Sequence, residues 1–302
     1  VRYRLRDVLP FGKPKTPGYG ISGDYFLSVL AGTAPLPSLL SVVAPKGVAS
    51  DVDGLPVPLA SGSTKDDLSR PLERGVYAIA SPDQKTVLKL RVVSKEEAGF
   101  DPPSMLATRL GMALDDERKR RIAATWTILQ LTFESHDPAV YPALDFFLAI
   151  VQALSIRTNG IVADPISQVY KLPEELVSPK PVGMPIAVQD FVSIELTADS
   201  DGARANTRGL VKFALPEVEI GGLDLGTAQL AERFLLGVSL SVLQGRLLEL
   251  GGLLGASRSP LRVATGGLDR SRWEGTPVFE LIPEGRTTTT ECLAAWAESE
   301  TT

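Results

Sequence analysis

"TWTILQLTFESHDPAVYPALDFFLAIVQALSIRTNGIVADP", residues 125–165, decides the fold. Its opening, "TWTILQLTF", is rich in β-branched and aromatic residues and reads as a strand. Pro138 then disfavours helical geometry at Asp137, and Asp137 carries the oxygen that a helix cap needs. A helix therefore starts with Asp137 as N-cap and Pro138 as first residue. Val140, Leu144, Phe147, Leu148, Val151 and Leu154 recur at helical spacing and make its apolar face. "TNG" at 158–160 supplies the left-handed stop, and "IVADP" reads as a short buried strand. The product is a strand, helix, strand unit.

A similar unit is read toward the C-terminus. "IAVQDFVSIEL" and "RGLVKFALPEVEI" are strands, "TAQLAERFLLGVSLSVLQGRLLEL" is a long helix stopped by Gly251 and Gly252, and "PVFELI" is a final strand. Toward the N-terminus, "RGVYAIA" and "TVLKLRVV" flank the turn residues "SPDQK" and form a hairpin. "DPPSMLATRLGMALDDERKRR" is read as a helix, with Asp101 as N-cap and Leu106, Leu110 and Leu114 as its stripe. Residues 1–70 are dense in Gly, Pro, Ser and Asp and read as a loop-rich arm carrying one or two short elements. The expectation is an α+β protein with a mixed or mainly antiparallel sheet and two prominent helices packed on it. The loop-rich N-terminal arm spans 1–70 and the body 71–302. Two related modules, at about 120–180 and 185–285, are a hypothesis of duplication, since no exact repeat is found.

"TNGIVADPIS" after one amphipathic helix and "TRGLVKFALPEVEIGG" before another loosely resemble uncharacterised bacterial domains of unknown function. In those domains a strand, helix, strand unit ends in a Gly-x-Val-x-Asp-Pro-like turn, and a later strand carries a Gly-Leu-x-Lys-Phe run followed by an acid. The resemblance covers about residues 120 to 285. It implies an α+β fold and transfers no catalytic residue.

The composition removes several classes of function. With 302 residues, 44% hydrophobic and 22% charged, the chain has the make-up of a globular protein. A body of that size buries roughly three quarters of its unfolded surface without needing disulfides or a structural metal. The net charge of -5 leaves no overall positive field to recruit nucleic acid. The local exception is the basic arm of Arg2, Arg4, Arg6, Lys13 and Lys15. One cysteine, Cys292, and one histidine exclude an intrachain disulfide and four-ligand Cys/His zinc chemistry. No stretch reaches the roughly 18 consecutive apolar residues of a membrane span. A cytoplasmic location is expected.

The residues that could carry chemistry are few. His136 is flanked by Ser135 and Asp137, but consecutive side chains rarely converge and no Gly-x-Ser-x-Gly elbow nominates a distant nucleophile. Asp164 ends a strand before Pro165, a place for a catalytic carboxylate, although a turn-forming Asp-Pro reads more simply. Gly18, Gly20 and Gly23 match the Gly-x-Gly-x-x-Gly spacing of a cofactor-binding turn, yet "GKPKTP" before them is no strand end. Asp115, Asp116 and Glu117 are contiguous on a helix and point apart, so no metal cup forms. No cofactor or metal is expected. In "RGLVKFALPEVEI", Pro216 confines the strand to an edge or a bulge, so Lys212, Glu217 and Glu219 are candidate interaction residues for β-augmentation. Trp273 beside Arg272 in a loop is a candidate anchor for a partner, although a satellite core contact reads more simply.

The expected function is a non-catalytic protein-interaction or accessory factor whose partner is another protein. One alternative is a carboxylate-dependent, hydrolase-like enzyme without a cofactor, with Asp164 or the His136 region in its site. A second is association with an anionic surface or nucleic acid through the basic arm. If the opening stretch announces a helix cap, Asp137→Ala lowers stability by about 0.5–2 kcal/mol. An unchanged thermal melt would reject the cap.

Overall fold

The computed structural model describes residues 25–43, 54–57, 68–135, 140–176, 187–199, 202–266, 273 and 275–300. They fall into two compact units, one ending at Asp190 and the other starting at Phe191. The fold is α+β, with two mostly antiparallel sheets. Among the described residues, no helix is long and apolar enough to cross a membrane.

The first unit carries β1 (Phe26–Ala31), α1 (Leu39–Val42), β2 (Leu55–Val57), β3 (Gly75–Ala80) and β4 (Thr86–Ser94). Three short helices follow, α2 (Pro102–Leu106), α3 (Arg109–Ala113) and α4 (Asp116–Ala123), and then β5 (Thr127–Ser135), α5 (Val140–Arg157), β6 (Ile161–Asp164) and β7 (Val169–Lys171). The strands form one sheet in the order β2-β3-β4-β5-β1-β6-β7. β3 and β4 make the expected hairpin, and β4 pairs along its length with β5, so hairpin and central strands share one sheet.

β1 comes from the stretch read as a loop-rich arm, yet it lies in the middle of the sheet, antiparallel to both β5 and β6. β5 and β6 are therefore parallel to each other with β1 between them, and α5 crosses over it. Leu27 and Val29 of β1 stand opposite Leu131 and Leu129 of β5 on one face, which α5 covers. Leu144, Phe147, Leu148, Val151 and Leu154 of α5 are buried, as their spacing predicts. Tyr25, Phe133 and Phe147 close this core, with Phe147 5.2 Å from Tyr25 and 5.0 Å from Phe133 between ring centroids. Asn159 ends the helix in the left-handed conformation at φ 46°. Gly160 beside it has no room for a side chain, because a Cβ there would sit 2.7 Å from the Leu30 carbonyl oxygen.

The single helix expected over 101–121 is divided into three. Asp101 caps the first as predicted, accepting from the Ser104 N–H at 3.1 Å. Thr108 then caps α3 and Asp115 caps α4, so short polar side chains restart the helix twice.

The second unit contains β8 (Ser193–Asp199), β9 (Gly202–Arg208), a 3-10 turn (Leu210–Phe213), β10 (Glu217–Leu223) and α6 (Ala228–Leu243). It continues with β11 (Leu253–Leu254), β12 (Leu261–Thr265), β13 (Val278–Pro283) and α7 (Thr289–Glu300). The sheet order is β11-β12-β13-β10-β9-β8, with β10 and β13 parallel and the other pairs antiparallel. Ala205, Ile220, Leu281 and Val263 form a buried row across four strands. α6 and α7 pack on this sheet with Phe234, Leu235 and Leu293 buried. α6 ends at Leu243, earlier than Gly251, because Gly245 takes φ 99° and turns the chain away. "RGLVKFALPEVEI" is not one strand: the 3-10 turn separates the end of β9 from β10.

Phe147 is fully buried at the centre of the first unit's aromatic group. Phe147→Ala should therefore cost about 3–5 kcal/mol, read from the shift of the urea midpoint at constant slope.

Candidate functional site

The residues singled out around 208–220 meet in the second unit, but not at a sheet edge. β10 is hydrogen-bonded to β13 on one side and β9 on the other. Strand addition at Glu217 and Glu219 is thereby excluded. Pro216 stands just before the strand, where its missing N–H takes nothing from the ladder.

Glu217 is a buried bracket for the turn between β9 and β10. Its Oε1 accepts from the backbone N–H groups of Gly209 at 2.7 Å and Val211 at 3.2 Å. Its Oε2 accepts from the Thr207 hydroxyl at 2.6 Å, and Thr207 Oγ1 accepts in turn from the Val218 N–H at 2.8 Å. One carboxylate at the start of β10 thus holds the first residues of the 3-10 turn and the end of β9. Lys212 lies inside that turn and is fully buried with Phe213 against it in sequence. A solvent-facing partner site at Lys212 and Glu217 does not exist in this arrangement.

Glu219 occupies a polar row. The register aligns Glu195 of β8, Asn206 of β9, Glu219 of β10 and Glu280 of β13, so these four share one face of the sheet. Asn206 and Glu219 are each 0% exposed. Trp273 is also buried and donates its indole N–H to Glu219 Oε2 at 2.8 Å. The Arg208 guanidinium lies 5.8 Å from the Trp273 ring centroid and pairs through Nε with Glu195. Burial, with the neighbouring Glu219 charge second, pushes the Glu280 carboxyl above its ordinary range. Trp273 is an internal anchor of this face and not an exposed one. Nothing in the residue order marks Glu195, Asn206 and Glu280 as its companions, because strand register brings them together from separate segments.

Asp164 is a turn former. Its Oδ1 accepts from the Ile166 and Ser167 N–H groups at 3.1 and 3.0 Å, an Asp-Pro turn closed by its own side chain. Its charge and that of Asp190 add to burial in raising the Tyr25 phenol above its usual value. Lys171 reaches Asp190 Oδ1 at 3.3 Å beside them. His136, Gly18, Gly20, Gly23, Arg272 and the basic residues of the N-terminal arm lie outside the described residues. Among the described residues, no group of three His, Cys, Asp or Glu side chains is placed to hold a metal ion.

The first unit holds a feature that the sequence reading missed. On the sheet face turned away from α5, Phe26, Ser28 and Leu30 of β1 line a groove of about 340 Å³. Ile128 and Gln130 of β5, Tyr170 of β7, and Phe100 and Leu110 from the preceding segment complete its walls. The register explains the lining: Ser28 faces Gln130, and Leu30 faces Ile128. Ile122 of α4, with Met105, Leu106 and Leu114, packs over the Leu30 and Ile128 end. The polar groups at hand are the neutral Ser28 and Tyr170 hydroxyls and Gln130 and Gln168 amides, together with the Asp164 carboxylate, whose Oδ1 accepts from its own turn. Alternation of Phe26, Ser28 and Leu30 with Leu27 and Val29 was the available signal.

Comparison with protein-family models, curated proteins and solved structures finds no match for this chain.

If Glu217 is a bracket for the turn, Glu217→Ala strands two backbone N–H groups and a hydroxyl, and should cost about 3–5 kcal/mol. Glu217→Gln keeps one acceptor oxygen and should cost less. Urea unfolding of both variants checks the order; two unchanged midpoints would contradict it.

Proposed function

We propose that this protein is a non-catalytic interaction factor that receives apolar side chains of a partner protein in the groove of its first unit. The observation that carries the reading is the groove itself: about 340 Å³, walled by Phe26, Leu30, Phe100, Leu110 and Ile128, with Asp164, engaged in its own turn, as the one charged side chain of the lining. Its volume lies at the low end of ligand-sized cavities, and its lining of apolar walls with a few oriented hydrogen-bonding groups suits a neutral guest. An anionic guest would lose its hydration there without gaining a counter-ion, since no Lys or Arg lines the groove.

The carboxylates that an enzyme of the hydrolase type would need have other tasks. Asp164 and Glu217 each accept backbone N–H groups, and Glu219 accepts the Trp273 indole. Oxygens already engaged in holding turns and the Trp273 ring in place are less free to meet a substrate. This supports binding over acid–base chemistry at these positions.

Native purification followed by mass spectrometry of co-eluting proteins and released small molecules tests the reading. Leu110 is 37% exposed, so Leu110→Glu places a charge on the groove wall at a position that the fold tolerates. A stoichiometric protein partner captured at least about tenfold less well by L110E, a difference of about 1.4 kcal/mol, is the expected result. A partner retained equally by L110E would move the interface elsewhere. A bound metabolite without a protein partner would replace this reading with small-molecule binding.

A further inference from the structure

In the second unit, the chain between α6 and β12 exposes leucines that a folded surface ordinarily covers. Leu247, Leu250 and Leu253 are 44%, 50% and 57% exposed. A single exposed leucine needs no explanation, but several on one short segment are the mark of an interaction surface. Leu253 stands opposite Arg262 in the β11–β12 register, and so on the face turned away from the buried row of Val263 and Leu281.

The segment is held in place. Gly245 at φ 99° turns the chain out of α6. Gly252 then donates its N–H to the Glu249 carbonyl at 2.9 Å, and a Cβ on Gly252 would sit 2.9 Å from that same oxygen, so the turn closes only around glycine. Gly251 donates to the Val263 carbonyl at 2.8 Å, and Val263 donates to the Gly252 carbonyl at 2.9 Å, which ties the turn to β12. The leucines are presented by a fixed backbone, and little ordering entropy opposes their burial against another molecule.

Two features select the occupant. β11 is the outermost strand but has only two residues, too short an edge for strand addition to carry an interface, so side chains must make the contact. The charges beside the leucines are one of each sign, Arg246 and Glu249, both exposed and neither side chain paired among the described residues. A partner of one sign would set one of them against a like charge. A second copy of this chain, turned by half a rotation, offers Glu249 to Arg246 and Arg246 to Glu249 at once, the self-complementarity that a two-fold interface requires. An anionic lipid surface fits less well, because Glu249 stands among the leucines and the whole chain carries a charge of -5.

We propose that the 246–253 segment is the contact surface of a homodimer, in which Leu247, Leu250 and Leu253 of two copies pack across a two-fold axis and Arg246 of each copy meets Glu249 of the other. The dimer is of the weak class, since the segment is small beside the roughly 800 Å² per partner that a stable interface buries. The flanking charges set its geometry more than its affinity.

Sedimentation equilibrium of the full chain over a concentration series reads the association directly. The mean mass should rise from 32.3 kDa toward twice that value. Leu250→Glu, at a position half open to water, should weaken association at least about tenfold, with the circular dichroism spectrum and the melting temperature unchanged. The charge variants test the two-fold arrangement without touching the leucines. Arg246→Glu and Glu249→Arg each set like charges together in both cross-pairs and should weaken self-association severalfold. An equimolar mixture of R246E and E249R restores opposite charges in both, so the mixed dimer should form more tightly than either variant with itself. A mean mass that stays at 32.3 kDa at every concentration would overturn the proposal. So would a dimer that L250E leaves intact, or a mixture that associates no more tightly than its components. A single-chain species that sediments with anionic vesicles would also overturn it and give the leucines to a membrane surface.

Discussion

The first unit depends on β1 pairing on both of its edges. Without it, β4 and β5 would end the sheet on one side, and β6 and β7 would be a detached pair on the other. Because β1 is antiparallel to both neighbours, β5 and β6 run parallel, and a connection between parallel strands needs a long crossover, here supplied by α5. The same strand then has two faces to satisfy. Leu27 and Val29 meet the helix and complete the apolar core, while Phe26, Ser28 and Leu30 face the other way, where three short capped helices give only partial cover. The groove is a consequence of that mismatch in cover, not of an added element.

In the second unit the comparable constraint is the fate of buried charge. A buried carboxylate is tolerated when fixed donors replace its water, and Glu217 shows this with two backbone N–H groups and a hydroxyl. The consequence is structural precision: the tight connection between β9 and β10 is held where the chain must pass from strand to 3-10 turn and back, with Ala214 in the left-handed region at φ 55°. Replacement of such an acid is costly because it strands donors, not because a favourable pair is lost.

These two constraints explain what could be read from the amino-acid order and what could not. The strand, helix, strand path through 125–165 was legible because its signals are local: β-rich run, helical spacing, and a left-handed stop at Asn159. The position of β1 was not, since "FLSVLA" sits among turn residues and its partners lie about a hundred positions away. The three-way division of 101–123 was hidden by leucines at helical spacing that outlast the caps at Thr108 and Asp115. Pro216 misled the reading of β10, because proline next to a strand and proline within one look alike until the ladder is seen. Lys212, Glu217 and Glu219 were read as contacts on a strand edge, but all three are buried and β10 is paired on both sides; Trp273 is buried as its core-contact reading had it, and Glu195, Asn206 and Glu280 entered only through register.

The carboxylates of this chain can be ordered by what holds their charge. Asp101 and Asp115 sit at helix starts, and Asp164 and Glu217 accept backbone N–H groups in turns, so the donors that meet these carboxylates are built from the backbone they stabilise. Glu97, Glu117 and Glu195 face arginines, an arrangement that solvent weakens where the pair is exposed. Glu280 belongs to neither group: its main neighbour of like kind is Glu219, and burial makes its charge still less favourable. In the groove of the first unit the comparable group is the Tyr170 phenol, which burial raises above its usual value.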